Sequence, residues 1–132
     1  MSSPPLDRLR EVSRGFPEAR LVVLFGSVAR GDAVAWSDAD IGVSGLAYWR
    51  GLELGAELGR LVGLEPHVVD LDGASDWLRF RVAAEGIPLS EGEPDAWAKF
   101  VASAMLSYFD LAPIIEVCAA GARRALGGET SA

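Results

Sequence analysis

The run Leu21-Val22-Val23-Leu24-Phe25, closed by Gly26, constrains the fold more than any other stretch of this sequence. Consecutive apolar residues without polar alternation suit a strand covered on both faces, so the chain needs elements above and below it. A second strand is predicted over 38–43, where Ile41 and Val43 alternate with Asp40 and Gly42. A third is predicted over 66–71, and Ile87 to Leu89 reads as a short strand or a turn.

Helical periodicity fills the intervals. Leu6, Leu9 and Val12 recur among charged residues over 6–14, and Gly15, Phe16 and Pro17 stop that helix. A longer pattern over 46–62 tolerates Gly51, Gly55 and Gly59, whose spacing predicts the close approach of another backbone. Ser75 caps a helix that runs to Glu85. Beyond it, Trp97, Phe100, Val101, Ala104, Tyr108 and Phe109 form a helical stripe, and Pro113 kinks or restarts the helix. The stripe is expected to pack on the sheet, with part of it in a protein interface as the alternative, and a homo-oligomer is a separate option for the chain.

These elements predict an α/β (α+β) architecture, a small mixed sheet flanked by helices with a helical C-terminal segment. A single domain over 1–132 is expected, with its core over about 5–90 and the helical segment over about 94–126. Half of the residues are hydrophobic, enough for one buried core.

The formal charge, 12 basic against 19 acidic residues or −7, comes without a Lys/Arg stripe, which argues against general nucleic-acid binding. A nucleoside triphosphate stays compatible, because one metal-filled pocket can hold a polyanion on an acidic protein. The single cysteine, Cys118, excludes an intrachain disulfide, reads as a small buried residue and suits a cytoplasmic protein. The first fourteen residues lack an apolar signal core, and no run is long enough to span a membrane, so a soluble chain is expected.

The chemistry is carried by Gly26-Ser27, ten residues, then Asp38-Ala39-Asp40, set between one buried strand and the start of the next. Residues two apart in a strand share a face, so Asp38 and Asp40 aim at a common point. Two carboxylates that close repel unless a cation lies between them, and hard oxygen donors of this kind suit Mg²⁺ or Mn²⁺. Gly26 lets the backbone approach a phosphate, and the Ser27 hydroxyl and the following N–H groups can donate to it. Arg30, in the same loop, pairs with a triphosphate or forms a surface salt bridge. The arrangement fits in-line phosphoryl transfer, in which positioning and charge neutralisation do the work without a nucleophilic side chain.

At these residues the chain resembles the minimal nucleotidyltransferases of the DNA polymerase β superfamily, through the segment GSVARGDAVAWSDADIGV. The similarity continues through HVVDLDGASDWLRFRVAAEGIPLSEGEPDAWAKF and so covers nearly the whole chain. It implies a polymerase β-like nucleotidyltransferase fold and, for Gly26, Ser27, Asp38 and Asp40, a metal-nucleotide site with ATP as co-substrate. It also implies a small helical partner of the HEPN type, a ribonuclease toxin that such proteins neutralise by transferring AMP to it. The alternative is an antitoxin-like binding module that keeps the fold but acts by contact alone. Transfer to a small molecule such as an aminoglycoside ranks below both, since little chain is left for an acceptor domain.

The family adds a third acidic residue from the neighbouring strand. In this sequence His67 falls at that position, and Asp70 follows three residues later, on the opposite face of a regular strand. Asp70 is the expected third ligand, completing the metal site or taking the acceptor's proton as a catalytic base, because Mg²⁺ prefers carboxylate to imidazole, and it requires a bulge or a shifted register to reach the site. His67 is otherwise expected to be partly buried and hydrogen-bonded, and Asp72 to be a turn residue.

Overall fold

A computed structural model of the chain describes residues 6–26, 40–63 and 66–109. Ser27, Arg30 and Asp38 lie outside the described residues, as do Pro113 and Cys118. The elements are α1 (Leu6–Arg14), β1 (Leu21–Phe25), β2 (Asp40–Ser44), α2 (Tyr48–Val62), β3 (His67–Asp70), a 3₁₀ turn (Leu71–Gly73), α3 (Asp76–Glu85), β4 (Ile87–Glu91) and a helix α4 over 96–109.

The four strands form one mixed sheet in the order β3-β2-β1-β4. β1 runs antiparallel to both of its neighbours, and β2 pairs parallel with β3. The unbroken apolar run of β1 follows from this central place. Val22 and Leu24 join Leu9, Ile41, Leu54 and Leu58 under α1 and α2, while Leu21, Val23 and Phe25 join Val82, Phe100 and Ala104 under α3 and α4. A strand buried on both faces leaves no position for a polar side chain.

Several boundaries differ from expectation for local reasons. α2 starts at Tyr48 rather than Leu46, because Gly45 turns the chain at φ 74° and Ala47 is still extended. Leu46 is spent on the core instead, packing partly buried against the α1/α2 cluster. Gly51 and Gly55 of α2 admit the Val68 side chain of β3 rather than a second backbone. A Cβ on Gly55 would stand 2.8 Å from Val68 Cγ2 and 3.5 Å from Pro66. β4 is a full strand, and its pairing steps from Val22↔Ser90 to Val23↔Pro88. Leu89 is the extra residue of that bulge and points into the core, and Pro88 is tolerated because β4 is an edge strand.

The aromatic stripe of α4 divides. Phe100 and Ala104 are buried against the sheet, with Trp97 packed beside them. Tyr108 stacks on Phe80 of α3 at 4.0 Å between ring centroids, whereas Leu106 and Phe109 are exposed. Among the described residues no helix is long and apolar enough to cross a membrane.

Candidate active site

β1 ends at Gly26, and the antiparallel register places Phe25 opposite Asp40 at the start of β2. Gly26 adopts φ 84°, a left-handed conformation that a side chain would strain. The Asp40 carboxylate occupies the space that a Cβ on Gly26 would fill. Both the backbone angle and the contact therefore require glycine at this position.

Along β2, Ile41 and Val43 point to the α1/α2 layer, and Asp40 and Gly42 point to the other side. Gly42 makes room there for Leu71, whose Cδ2 lies 2.8 Å from where a Cβ would be. Asp40 is at the sheet's end, with its side chain 24% exposed, reachable from solvent yet backed by the core.

β3 brings His67 level with Asp40, and His67 Nδ1 lies 3.8 Å from Asp40 Oδ1. The imidazole is 83% exposed and takes part in no hydrogen bond among the described residues, in contrast to the partly buried, bonded state expected for it. The reason is topological: β3 is an edge strand whose outer side nothing covers among the described elements.

Asp70 sits elsewhere. The β2–β3 register is regular from Asp40↔His67 to Val43↔Asp70, so the bulge or shift needed to carry Asp70 toward Asp40 is not present. Three strand positions, roughly 10 Å, separate their levels. Its side chain starts on the face of Val68, toward α2, and its carboxylate accepts the Asp72 N–H at 3.0 Å, capping the 3₁₀ turn. Of the residues expected at the site, the structure thus brings Gly26 and Asp40 together, adds His67, and places Asp70 apart.

Asp72 does more than turn the chain. Its carboxylate accepts from Ser44 Oγ at 2.7 Å, from the Gly45 N–H at 2.9 Å and from Arg20 at 3.1 Å, tying β1, β2 and the turn after β3 into one bracket. Partial burial pushes the Asp72 carboxyl up, but the Ser44 and Gly45 hydrogen bonds and the Arg20 charge outweigh it and hold the group below its ordinary range. No periodicity or motif in the sequence marks these partners, which lie 27 to 52 residues away.

Among the described residues no cluster of three acidic, histidine or cysteine side chains forms. Asp40 and His67 are nonetheless two donors on one face at one end of the sheet, beside Gly26. That donor set fits a divalent cation, with water and phosphate oxygens completing its shell.

A buried strand that ends in a glycine against the first carboxylate of an antiparallel neighbour, in a mixed sheet with helices on both faces, defines a nucleotidyltransferase of the polymerase β-like fold. The family model described as polymerase beta, nucleotidyltransferase matches residues 7–95, and the chain belongs to that family. Among solved structures, a toxin–antitoxin with AMP-PNP is 25% identical, covers 92% of this chain and 94% of its own, and superposes with a TM-score of 0.67. A complex of tri-AMPylated Shewanella oneidensis HEPN toxin with MNT antitoxin is 24% identical over 92% of this chain and 91% of its own, at a TM-score of 0.61, and attests the fold. A protein described as a minimal nucleotidyltransferase is 33% identical over 62% of this chain and 89% of its own, at a TM-score of 0.52. No curated protein matches the chain.

Proposed function

We propose that this protein transfers AMP from ATP to a hydroxyl of a small helical HEPN-type toxin and so acts as its antitoxin. The observation that carries the reading is the Gly26–Asp40 contact, which puts a backbone suited to phosphate against a carboxylate suited to metal. The similarity to a toxin–antitoxin holding AMP-PNP and to a complex containing a tri-AMPylated toxin supports the choice of nucleotide and acceptor.

In this reading Asp38 and Asp40 hold a divalent ion, Mg²⁺ or Mn²⁺, while Gly26, Ser27 and Arg30 hold the triphosphate. The ion, when bound, neutralises charge on the α-phosphate and on the departing pyrophosphate. The acceptor oxygen attacks the α-phosphorus, the bond to pyrophosphate breaks, and the hydroxyl proton passes to water. The protein's own part is to hold the reacting atoms in line. Asp70 supports the turn after β3 rather than the ion. A single domain over 1–132 working in the cytoplasm belongs to the same reading.

Incubation with labelled ATP, a divalent ion and the product of the neighbouring gene is expected to label that product. Label that persists after Asp38→Ala with Asp40→Ala refutes the assignment. A second reading, neutralisation by contact alone, draws on the exposed Leu106 and Phe109 and on a histidine at the third acidic position. It predicts that the double aspartate variant still binds and inhibits the toxin.

A further inference from the structure

We infer that His67 is a metal-binding residue of this site and that it turns the site's preference from Mg²⁺ toward a divalent transition ion. The inference rests on the metal-nucleotide reading above and deepens it by naming the ion class.

The geometry comes from the β2–β3 ladder. Asp40 and His67 are register partners in parallel strands, so their side chains leave the sheet on the same face, and Nδ1 and Oδ1 are 3.8 Å apart. Two ligands of an octahedral ion with bonds of about 2.1 Å stand about 3.0 Å apart when adjacent and about 4.2 Å apart when opposite. The observed separation falls between these, and an imidazole with 83% of its surface exposed can close the difference by side-chain rotation. Asp70, the nearest carboxylate on β3, faces α2 and is engaged in capping the Asp72 N–H, so it does not compete for the place.

Donor chemistry then decides the ion. Mg²⁺ holds its waters tightly and takes oxygen ligands, whereas first-row transition ions accept imidazole nitrogen readily. A site of carboxylate, imidazole and phosphate oxygen therefore favours the transition ion; Mn²⁺, whose ligand habit is nearest that of Mg²⁺, gains least from the imidazole and serves as the paramagnetic probe. His67→Asp should lower the ratio of Mn²⁺ to Mg²⁺ affinity.

The test exploits the fact that His67 is the only histidine of the chain. The untagged full-length protein, grown with ¹⁵N-histidine, is titrated with Mn²⁺ in the presence of AMP-PNP, with binding followed by electron paramagnetic resonance. Electron–nuclear double resonance then reads any ¹⁵N coupled to the bound ion. A ¹⁵N coupling that disappears in His67→Asp, together with a gain in Mg²⁺ affinity in that variant, supports the inference. His67 is exposed on an edge strand, so the variant keeps the fold, which circular dichroism checks. Mn²⁺ bound in an Asp40-dependent way with no ¹⁵N coupling overturns the role of His67 and leaves the nucleotidyl-transfer reading standing. Absence of both Mn²⁺ and Mg²⁺ binding with AMP-PNP overturns the metal-nucleotide reading and the inference with it.

Discussion

The Asp40 carboxylate lies in the space that a side chain on Gly26 would need, so the residue that follows β1 and the first residue of β2 are fitted to each other. The fit is steric and conformational at once, since Gly26 also holds φ 84°. Gly26→Ala should cost about 1–2 kcal/mol of stability from the left-handed backbone alone. Displacement of the Asp40 carboxylate should also lower transfer by about 100-fold. Chemical denaturation and a label-transfer assay on the same preparation check the two effects separately.

The two aspartates at either end of the β2–β3 ladder should behave differently. Asp40→Asn is expected to lower transfer by about 100-fold or more while leaving stability nearly unchanged. Asp70→Ala is expected to keep the transfer rate and to lose about 1 kcal/mol of stability with the cap on the 3₁₀ turn. Equal activity losses in the two variants would contradict the register-based separation of their roles.

Asp72 ties stability to pH. Its carboxyl is held below the ordinary value of 3.8, so its contribution is fully present above that value and is lost as the pH falls through the lower, folded one. Asp72→Asn should therefore be less stable than wild type at neutral pH, by on the order of 1 kcal/mol for a half-exposed network. The difference should shrink toward zero in strong acid. Urea unfolding from pH 7 down into strong acid measures both the gap and its closure.

Gly55 and Val68 form a second fitted pair, on the other face of the sheet. Gly55→Ala would raise helix propensity by about 1 kcal/mol, but the new Cβ stands 2.8 Å from Val68 Cγ2, and overpacking of this kind costs about 1–3 kcal/mol. A net loss is expected, with Val68→Ala restoring part of it. A double-mutant cycle in which the two changes simply add would show that the contact is not the cause.

Leu106 and Phe109 are exposed at the far end of α4, beyond the part that packs on the sheet. Changing both to serine should cost about 1 kcal/mol, mainly through the edge-on contact of Phe109 with Phe80. If this end of α4 meets the toxin, the variant should bind it more weakly in calorimetry while the ATP site remains intact.

Much of the fold was legible from local pattern. The apolar run of β1, the spacing of α1 and the Ser75 cap each depend on residues a few positions apart, and each occurs where expected. Errors gathered where the decisive partner is distant. The start of α2 depends on the Gly45 turn and on Leu46 being drawn into the core, and the bulge at Leu89 depends on pairing with β1. The glycines of α2 suggested the approach of another backbone, whereas at Gly51 and Gly55 it is the Val68 side chain that comes close.

The order of residues by itself determined the pairing of a glycine-ended buried strand with an acid-bearing one, and with it the family, because strand periodicity and the Gly-Ser to Asp-x-Asp spacing are local properties. Only the tertiary structure decided which residue of β3 stands beside Asp40. A shift of one position in a parallel ladder reverses every side chain, and register is fixed by packing of Val68 and Val69 on opposite layers, which no local pattern encodes. That choice makes His67 the neighbour of Asp40 and gives Asp70 to the turn.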